Sequence, residues 1–326
     1  MIQHAHRVLA LSVALMSSLA WAQGAGSNYP SKPVRLVVGF APGGAADYVA
    51  RTVGDALGKA LGQSVVIDNR AGAGSSIAAE IVAKSPADGY TLLIASPSSI
   101  SVNPALNPKL GYKPSDLLPV TKVTSSPLVI AVSPSTGINS VKDLIARAKQ
   151  APGALNYATS GNGSAPHLGA ALFGMVAGVE MTHVPFRGGG PAIQSMLAGD
   201  TQITFGTPPS VLPWITAGRL KGLGVSTLER SPLVPDLPGM KEAGLPDYVI
   251  EFWYGFFLPA NTPPAIAQKV FTATQQALQQ PQVKAALARE GTEVSLSTSP
   301  AQFAAFLTDN EKFWVRLVKE AAVKIE

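Results

Sequence analysis

The sequence contains no cysteine and only four histidines among its 326 residues. Without cysteine the protein has no disulfides, no thiolate metal ligands and no cysteine nucleophile. Two of the histidines, His4 and His6, stand at the very start of the chain, which leaves His167 and His183 for the rest. Neither belongs to a His-x-x-x-His pattern or to a carboxylate cluster, and we therefore expect no metal site.

Charge is also scarce, because charged residues make up 14% of the chain and the net charge at pH 7 is +5. No run of five like charges occurs, and no basic stripe is interleaved with aromatic residues. These absences argue against nucleic acid as a partner. The small positive excess favours small anions as ligands.

No later apolar run approaches the roughly 18 to 20 residues that a membrane-spanning helix needs. Near the start, a weakly basic segment precedes the apolar residues 8–19, and Ala20-Trp21-Ala22 then has the small-x-small pattern of a cleavage site. These features predict a signal peptide over residues 1–22 and a mature protein that begins at Gln23. We expect that protein to be soluble and located in the periplasm.

Three nucleotide or catalytic motifs are missing. Residues 39–44 lack the third glycine of a dinucleotide fingerprint, and residues 54–60 lack the spacing and the hydroxyl of a P-loop. No Gly-x-Ser-x-Gly elbow occurs, since the nearest match at residues 161–164 has the wrong spacing. Ser164 and His167 lie three residues apart at a helix start, which keeps an exported hydrolase as the alternative function without supplying a triad. We predict no cofactor and no enzymatic activity.

The sequence does contain a short apolar run at residues 34–38 that leads into Phe40-Ala41-Pro42-Gly43-Gly44. From residue 45 to residue 61 the apolar residues recur with the period of a helix. The glycines therefore open a helix directly after a strand, where free backbone N–H groups and the helix dipole favour an anion. A tight strand-to-helix connection is the alternative interpretation.

Similar loops follow three more predicted strands, at residues 96–99, 158–167 and 185–191. Ligands of α/β sheets bind outside the carboxyl ends of the strands, so these loops together predict a binding cleft. Arg187 stands beside three glycines, a setting that suits bidentate binding of a carboxylate. We interpret His183 as a core or edge residue and residues 252–254 as core packing, with an aromatic ring in the cleft as the alternative.

Strands that alternate with helices predict an α/β fold in which each sheet is mostly parallel. A chain of this length usually forms two lobes. We place lobe 1 at residues 29–128 and 250–326 and lobe 2 at residues 129–249, with crossings near 125–132 and 248–252. The predicted strands are 34–38, 64–68, 91–95, 120–132 with a break at 125–127, 155–158, 181–184, 203–205, 220–225 and 251–258. The predicted helices are 45–61, 77–84, 163–177, 191–198, 264–278, 283–290, 300–319 and one that opens at Ser140.

Six motifs together resemble the Bug family, the extracytoplasmic solute-binding receptors of tripartite tricarboxylate transporters. They lie at residues 40–47, 69–74, 86–91, 158–167, 184–192 and 243–246, and the resemblance covers essentially the whole mature chain. It implies a type II periplasmic binding protein fold, with the ligand cleft between two lobes. It also implies a monomer that binds a small organic carboxylate and delivers it to the permease subunits of the transporter.

The resemblance further implies a ligand site built largely from backbone N–H groups and small polar side chains, in which Asp47 orients the first loop. One departure is Phe205-Gly206-Thr207, where the family often has Phe-Asp-Asn. Loss of that acid removes a partner for a ligand ammonium group, so it disfavours amino acids and favours dicarboxylates or aromatic carboxylates. The implied site residues are Phe40, Ala41, Pro42, Gly43, Gly44, Asp47, Ser96, Ser98, Ser160, Gly161, Asn162, Gly163, Ser164, His167, Arg187, Gly188, Gly189 and Thr207.

Overall fold

The computed structural model describes residues 28–321, so the predicted signal peptide and the predicted start at Gln23 lie outside the described residues. The strands are β1 Val34–Val38, β2 Val65–Asn69, β3 Thr91–Ala95, β4 Leu117–Pro127, β5 Val129–Val132, β6 Asn156–Thr159, β7 Thr182–Pro185, β8 Ile203–Gly206, β9 Lys221–Val225, β10 Glu251–Pro259 and β11 Glu293–Val294. The α-helices are α1 Ala45–Leu61, α2 Ser76–Ala83, α3 Asn103–Leu106, α4 Val141–Gln150, α5 Ala165–Ala177, α6 Gly189–Ala198, α7 Pro208–Thr216, α8 Met240–Ala243, α9 Pro264–Gln279, α10 Pro281–Arg289 and α11 Pro300–Glu320.

Helix α1 shows how the sequence periodicity determines a local structure. Val49, Val53 and Leu57 recur at helical spacing and are fully buried, and the helix packs against α9 and β2. It ends at Gly62, whose φ of 72° is left-handed and whose N–H caps the last turn. Burial of this face, rather than intrinsic propensity, supplies most of the stability of such a helix.

The strands form two sheets, as the sequence predicts. The first has the order β11-β4-β10-β3-β1-β2, in which β1 to β4 run in one direction and β10 and β11 run in the opposite direction. The second has the order β7-β6-β8-β5-β9, in which β5 alone of these five strands opposes the others. β5 is the first strand of the second sheet after the chain leaves the first, and β10 is the first strand after the chain returns.

Both faces of the first sheet are buried. Leu36 and Val38 of β1 pack into one apolar core, and Val37 packs on the opposite face with Leu93 of β3. Helices must therefore cover both faces, which explains why residues 36–38 of β1 and 92–95 of β3 are apolar at consecutive rather than alternate positions. Among residues 28–321 no helix is long and apolar enough to span a bilayer.

The chain passes between the sheets at the positions expected for the two crossings. β4 ends at Pro127 in the first sheet, β5 begins at Val129 in the second, and β10 returns at Glu251. Ser226 joins the two crossings, because its N–H donates to Leu128 O at 2.8 Å and its hydroxyl donates to Ile250 O at 2.5 Å. The division into lobe 1 and lobe 2 remains our proposal.

Several local predictions need correction. The break falls at Leu128, because residues 125–127 stay paired with β10. Residues 98–106 are helical and begin inside the polar loop that we predicted at residues 96–99, and α7 was not predicted at all. Residues 231–247, for which we predicted neither a strand nor a helix, contain the short helix α8. The predicted helix at Ser140 is present, and the Ser140 hydroxyl accepts from Asp143 N at 3.1 Å.

Candidate functional site

Two adjoining cavities lie between the sheets, at the loops that follow the strands. The main cavity has a volume of about 280 Å³ and is lined by loops 39–40, 72–76, 160–162 and 185–187 together with Asn103, Asn107 and Leu110. The side cavity, of about 30 Å³, is lined by residues 44–46, 204–211 and parts of α5, α6 and β10. Phe40 and Ser160 line both cavities, so the two spaces meet at these residues.

The start of α1 lies at the side cavity, and its role as an anion seat stays a prediction. Its first helical N–H, that of Ala45, donates to the hydroxyl of Ser210 at 3.2 Å across the cleft. Gly44 is the N-cap and has no side chain with which to cap α1. The backbone N–H groups in the first turn of α1 are therefore open to other acceptors. Gly43 precedes it with a φ of 82°, a conformation that favours glycine.

Asp47 holds this first loop in place. Its carboxylate accepts from Gly43 N at 3.1 Å and from the Asn69 side chain at 3.0 Å, and it pairs with Arg51 at 2.9 Å. Burial alone would raise the pKa of Asp47, but the hydrogen bonds from Arg51, Gly43 and Asn69 outweigh it and hold the pKa below the usual range. Asp47 is therefore ionised, and its carboxylate is already bound by these three partners. These contacts are those of an orienting residue.

The loop after β6 forms a tight turn before α5. Gly161 N donates to Thr159 Oγ1 at 3.2 Å, and Ser164 N donates to Gly161 O at 3.1 Å. Ser160 lines both cavities, and Gly161 and Asn162 line the main one. Ser164 is the N-cap of α5 and fully buried, and its hydroxyl has no partner within residues 28–321.

The two histidines of the described chain stack face to face below this loop. The ring centroids of His167 and His183 are 4.0 Å apart, with an interplanar angle of 7°. Gly163 N donates to His167 Nδ1 at 3.0 Å, and His183 Nε2 lies 2.7 Å from Thr159 Oγ1. Burial and the neighbouring His183 lower the pKa of His167 to about 3, and burial lowers that of His183 to about 4. Both rings are neutral at pH 7.

The loop after β7 crosses the cleft to meet the first loop. Ala41 N donates to Arg187 O at 3.1 Å. A Cβ atom on Gly188 would lie 2.9 Å from Ala41, and one on Gly44 would lie 3.3 Å from Gly189 N. The lobes thus approach backbone to backbone, and the glycines make this possible. The exposed Arg187 side chain lines the main cavity and forms no ion pair with any residue from 28 to 321.

Thr207, the position where the sequence departs from the family pattern, lines the side cavity. It is the N-cap of α7, and its hydroxyl lies 3.3 Å from that of Ser210. Phe252 and Tyr254 line the same cavity, whereas Trp253 between them packs on Phe303 on the other face of β10. Successive side chains of a strand point to opposite faces, so Phe252 and Tyr254 face the cleft whereas Trp253 packs in the core. Residues 252–254 therefore supply both core packing and aromatic rings in the cleft.

The predicted site residues fall into two groups. Ser96 and Ser98 are buried below the cavities because the chain turns directly from β3 into a helical segment, and their hydroxyls find no partner among the described residues. The predicted residues that line a cavity are Phe40, Gly44, Ser160, Gly161, Asn162, Arg187, Gly189 and Thr207. Those that line neither of the two cavities are Ala41, Pro42, Gly43, Asp47, Ser96, Ser98, Gly163, Ser164, His167 and Gly188.

Sequence reasoning missed one wall of the main cavity, the loop 72–76. Ser75 has a φ of 74°, unusual for a residue other than glycine, and its buried hydroxyl has no partner in the described chain. Asn103 fixes the loop by donating to Gly74 O at 2.9 Å and to Ser76 Oγ at 2.8 Å. The glycines at 72 and 74 were a signal, but we placed no site residue in the motif at residues 69–74.

The arrangement suits binding of an anion better than catalysis. Among the described residues that line the two cavities, Arg187 is the only charged one, and no carboxylate faces either space. Ser164 Oγ makes no hydrogen bond to His167, so the pair lacks the contact that activates a nucleophile. No group of three potential metal-ligating side chains occurs within residues 28–321.

Comparisons with known proteins agree with this geometry. Residues 49–323 match the family described as tripartite tricarboxylate transporter family receptor. Protein BugT of Bordetella pertussis is 36% identical over 301 residues, which cover 92% of each chain. The structure of Rpa4515 of Rhodopseudomonas palustris with adipate has a TM-score of 0.88 at 34% identity and covers 91% of this chain and 100% of that one. MatC of the same organism, with bound malate, has a TM-score of 0.84 at 32% identity, with coverage of 89% and 100%.

Proposed function

The chain belongs to the tripartite tricarboxylate transporter receptor family, and from this we propose that it is a periplasmic receptor for a small organic carboxylate. The ligand is a dicarboxylate, a tricarboxylate or an aromatic carboxylate. The receptor releases it unchanged to the permease subunits of a tripartite tricarboxylate transporter. The predicted signal peptide supports export, and the membership of the family supports the transporter as partner.

The charge of the cavities carries this proposal. Arg187 faces the main cavity without a carboxylate beside it, and the open first turn of α1 faces the side cavity. A cation and the N-terminus of a helix both favour a negatively charged ligand. The absence of an acid from the lining disfavours an amino acid, whose ammonium group would need a partner.

Two candidate anion-binding positions, one in each of the adjoining cavities, support a ligand with polar groups at both ends. The structural relatives Rpa4515 and MatC are described with adipate and with malate, which are both dicarboxylates. The main cavity, at about 280 Å³, lies just below the range for ligand pockets, roughly 300 to 1,000 Å³. We therefore place short dicarboxylates first among the candidate ligands.

Thermal-shift measurements with adipate, malate, benzoate and the uncharged diamide of adipic acid test the ligand class. We expect stabilisation by at least one carboxylate and none by the diamide. Chromatography after prolonged incubation should recover the bound carboxylate unaltered. Stabilisation by the diamide alone would contradict the proposal, and conversion of the carboxylate would favour the hydrolase alternative.

The substitution Arg187→Ala tests the role of the cation. A hydrogen bond to a charged partner contributes about 1.5 to 3 kcal/mol, so calorimetry should show affinity for the stabilising carboxylate reduced about ten- to 100-fold. Arg219→Ala removes an exposed arginine of lobe 2 that lines neither cavity and serves as the control. Equal affinities of both variants would show that Arg187 is solvated and does not bind the ligand.

A further inference from the structure

The stacked histidines occupy a position that ligand binding alone does not explain. His167 is 5% exposed and lines neither of the two cavities, and the sequence analysis had placed it in the ligand shell. Its ring lies flat on His183 of β7, which in turn stacks on Tyr157 of β6 with ring centroids 5.1 Å apart. Three rings from α5, β7 and β6 thus form one column below the loop after β6.

Each histidine makes a hydrogen bond to a different end of this loop. Gly163 N donates to His167 Nδ1 at 3.0 Å, close to the start of α5. His183 Nε2 lies 2.7 Å from Thr159 Oγ1, at the end of β6. Thr159 Oγ1 also accepts from Gly161 N at 3.2 Å, so the second contact continues into the middle of the loop. Between these bonds lie Ser160, Gly161 and Asn162, which line the main cavity.

The loop needs these hydrogen bonds because two of its residues are glycines. Gly161 and Gly163 have φ values of 115° and 70°, and glycine has more backbone conformations to choose from than any other residue. A loop with two glycines does not hold its N–H groups in one direction by itself. The two histidine bonds supply fixed points on either side of the cavity-lining residues.

We infer that His167 and His183 act as a stacked positioning pair, which fixes the loop 159–164 in the conformation that receives the ligand. His167 is thus a positioning residue rather than a ligand contact. Its acceptor role requires the tautomer with the ring proton on Nε2 and none on Nδ1. Protonation of Nδ1 would make this nitrogen a hydrogen-bond donor. It would then face Gly163 N–H, which is also a donor, and the hydrogen bond would be lost.

The surroundings keep the pair neutral. The titratable group that faces His167 is His183 from β7, and the one that faces His183 on its other side is Tyr157 from β6. Burial lowers the pKa of both histidines, the neighbouring His183 lowers that of His167 further, and within the described chain no carboxylate contributes to either shift. A neutral acceptor at Nδ1 is therefore present at pH 7.

Nuclear magnetic resonance of the ligand-free protein tests the tautomer without any substitution. The chain has four histidines, so ring-nitrogen spectra at pH 7 contain few signals among which His167 and His183 must be assigned. We expect His167 with an unprotonated Nδ1 and a protonated Nε2. A proton on Nδ1 would overturn the inference, because the bond from Gly163 could not then exist.

Amide hydrogen exchange of variants tests the effect on the loop. His167→Leu keeps a buried apolar side chain and loses the acceptor, whereas His167→Asn places an oxygen near the position of Nδ1 and loses the ring. At pH 7 we expect exchange of the Gly163 amide to be about three- to tenfold faster in His167→Leu and close to the original rate in His167→Asn. Equal exchange in these two variants would show that the ring serves only packing.

The matched control is Tyr157→Phe, which keeps the stack on His183 and has no hydrogen bond to the loop. It should leave the Gly163 exchange rate unchanged, and circular dichroism should confirm that all variants are folded. With adipate as probe, affinity should fall three- to tenfold in His167→Leu and recover in His167→Asn. Only this affinity measurement rests on the proposed function. If the protein does not bind adipate, the amide exchange of Gly163 and the ring-nitrogen spectra still test the positioning role of the histidines.

Discussion

At the scale of single residues, the site depends on backbone conformations that only a few positions tolerate. Gly43 has a φ of 82°, and a Cβ atom there would meet no other atom within 4 Å. A larger side chain is therefore disfavoured at Gly43 by the backbone and not by collision with the protein. The N–H of Gly43 is at the same time tied to Asp47, so a change of φ would displace the whole first loop.

Gly43→Val and Gly62→Val form a matched pair that isolates this effect. Gly62 ends α1 with a φ of 72° and also has open space around a would-be Cβ. Each substitution should cost stability by about 1 to 2 kcal/mol or somewhat more, because a left-handed conformation is unfavourable for a side chain. Only Gly43→Val should lower affinity for the bound carboxylate, about tenfold or more by calorimetry. Unchanged affinity in a folded Gly43→Val protein would move the anion seat away from this loop.

At the scale of elements, the N-terminus of α1 connects the two sheets. Its first helical N–H finds its acceptor in Ser210 of α7, an element that the sequence analysis did not predict. An acceptor from the facing lobe is available only while the lobes are in contact. We therefore expect this bond to stabilise a closed arrangement of the two proposed lobes, in which the ligand would be enclosed.

Ser210→Ala removes this bond and Ser195→Ala removes a comparable one inside lobe 2, between the hydroxyls of Ser195 and Thr201 at 3.0 Å. A neutral hydrogen bond contributes about 0.5 to 1.5 kcal/mol. We expect Ser210→Ala to weaken carboxylate binding about two- to tenfold, whereas Ser195→Ala should lower the melting temperature and leave affinity intact. The opposite pattern would mean that the bond across the cleft has no part in closure.

At the scale of the whole molecule, the two crossings and the Ser226 hydrogen bonds form the connection between the sheets, and we expect the two proposed lobes to move about it. Contacts between loop backbones join the two sides of the cleft, at Ala41 N with Arg187 O and at Gly44 with Gly189. Hinge motions of this kind place the conformational change in a few residues where elements end. We expect an open form without ligand and a closed form with it.

Gly188→Ala tests closure, because its Cβ would lie 2.9 Å from Ala41 of the facing lobe. Gly199→Ala is the control, since Gly199 also has a left-handed φ, of 91°, and no atom within 4 Å of a would-be Cβ. Small-angle scattering should show the radius of gyration decreasing with saturating carboxylate in the control and in the unmodified protein. Gly188→Ala should stay open. A decrease in all three proteins would show that closure does not bring these loops together. The molecular mass from the same scattering data tests the expected monomer.

Local sequence determined most of the elements and the general character of the site. The period of apolar residues from 45 to 61 specified α1, and a strand followed by Pro42-Gly43-Gly44 specified where the helix begins. The motifs of the chain identified the family, and the comparisons confirm it. These features could be predicted because hydrophobic period, turn chemistry and helix capping act between residues close in the chain.

Only the tertiary structure decided which polar residues reach a cavity. Ser96 and Ser98 follow a strand, as Ser160 does, yet the helical segment after β3 buries them while the turn after β6 leaves Ser160 at both cavities. The stack of His167 on His183 likewise joins residues of different elements. Such contacts depend on how α5, β6 and β7 pack, and burial of apolar surface, which is not directional, drives that packing. The sequence by itself therefore determines the loops and their chemistry, whereas the distances between loops exist only in the folded molecule.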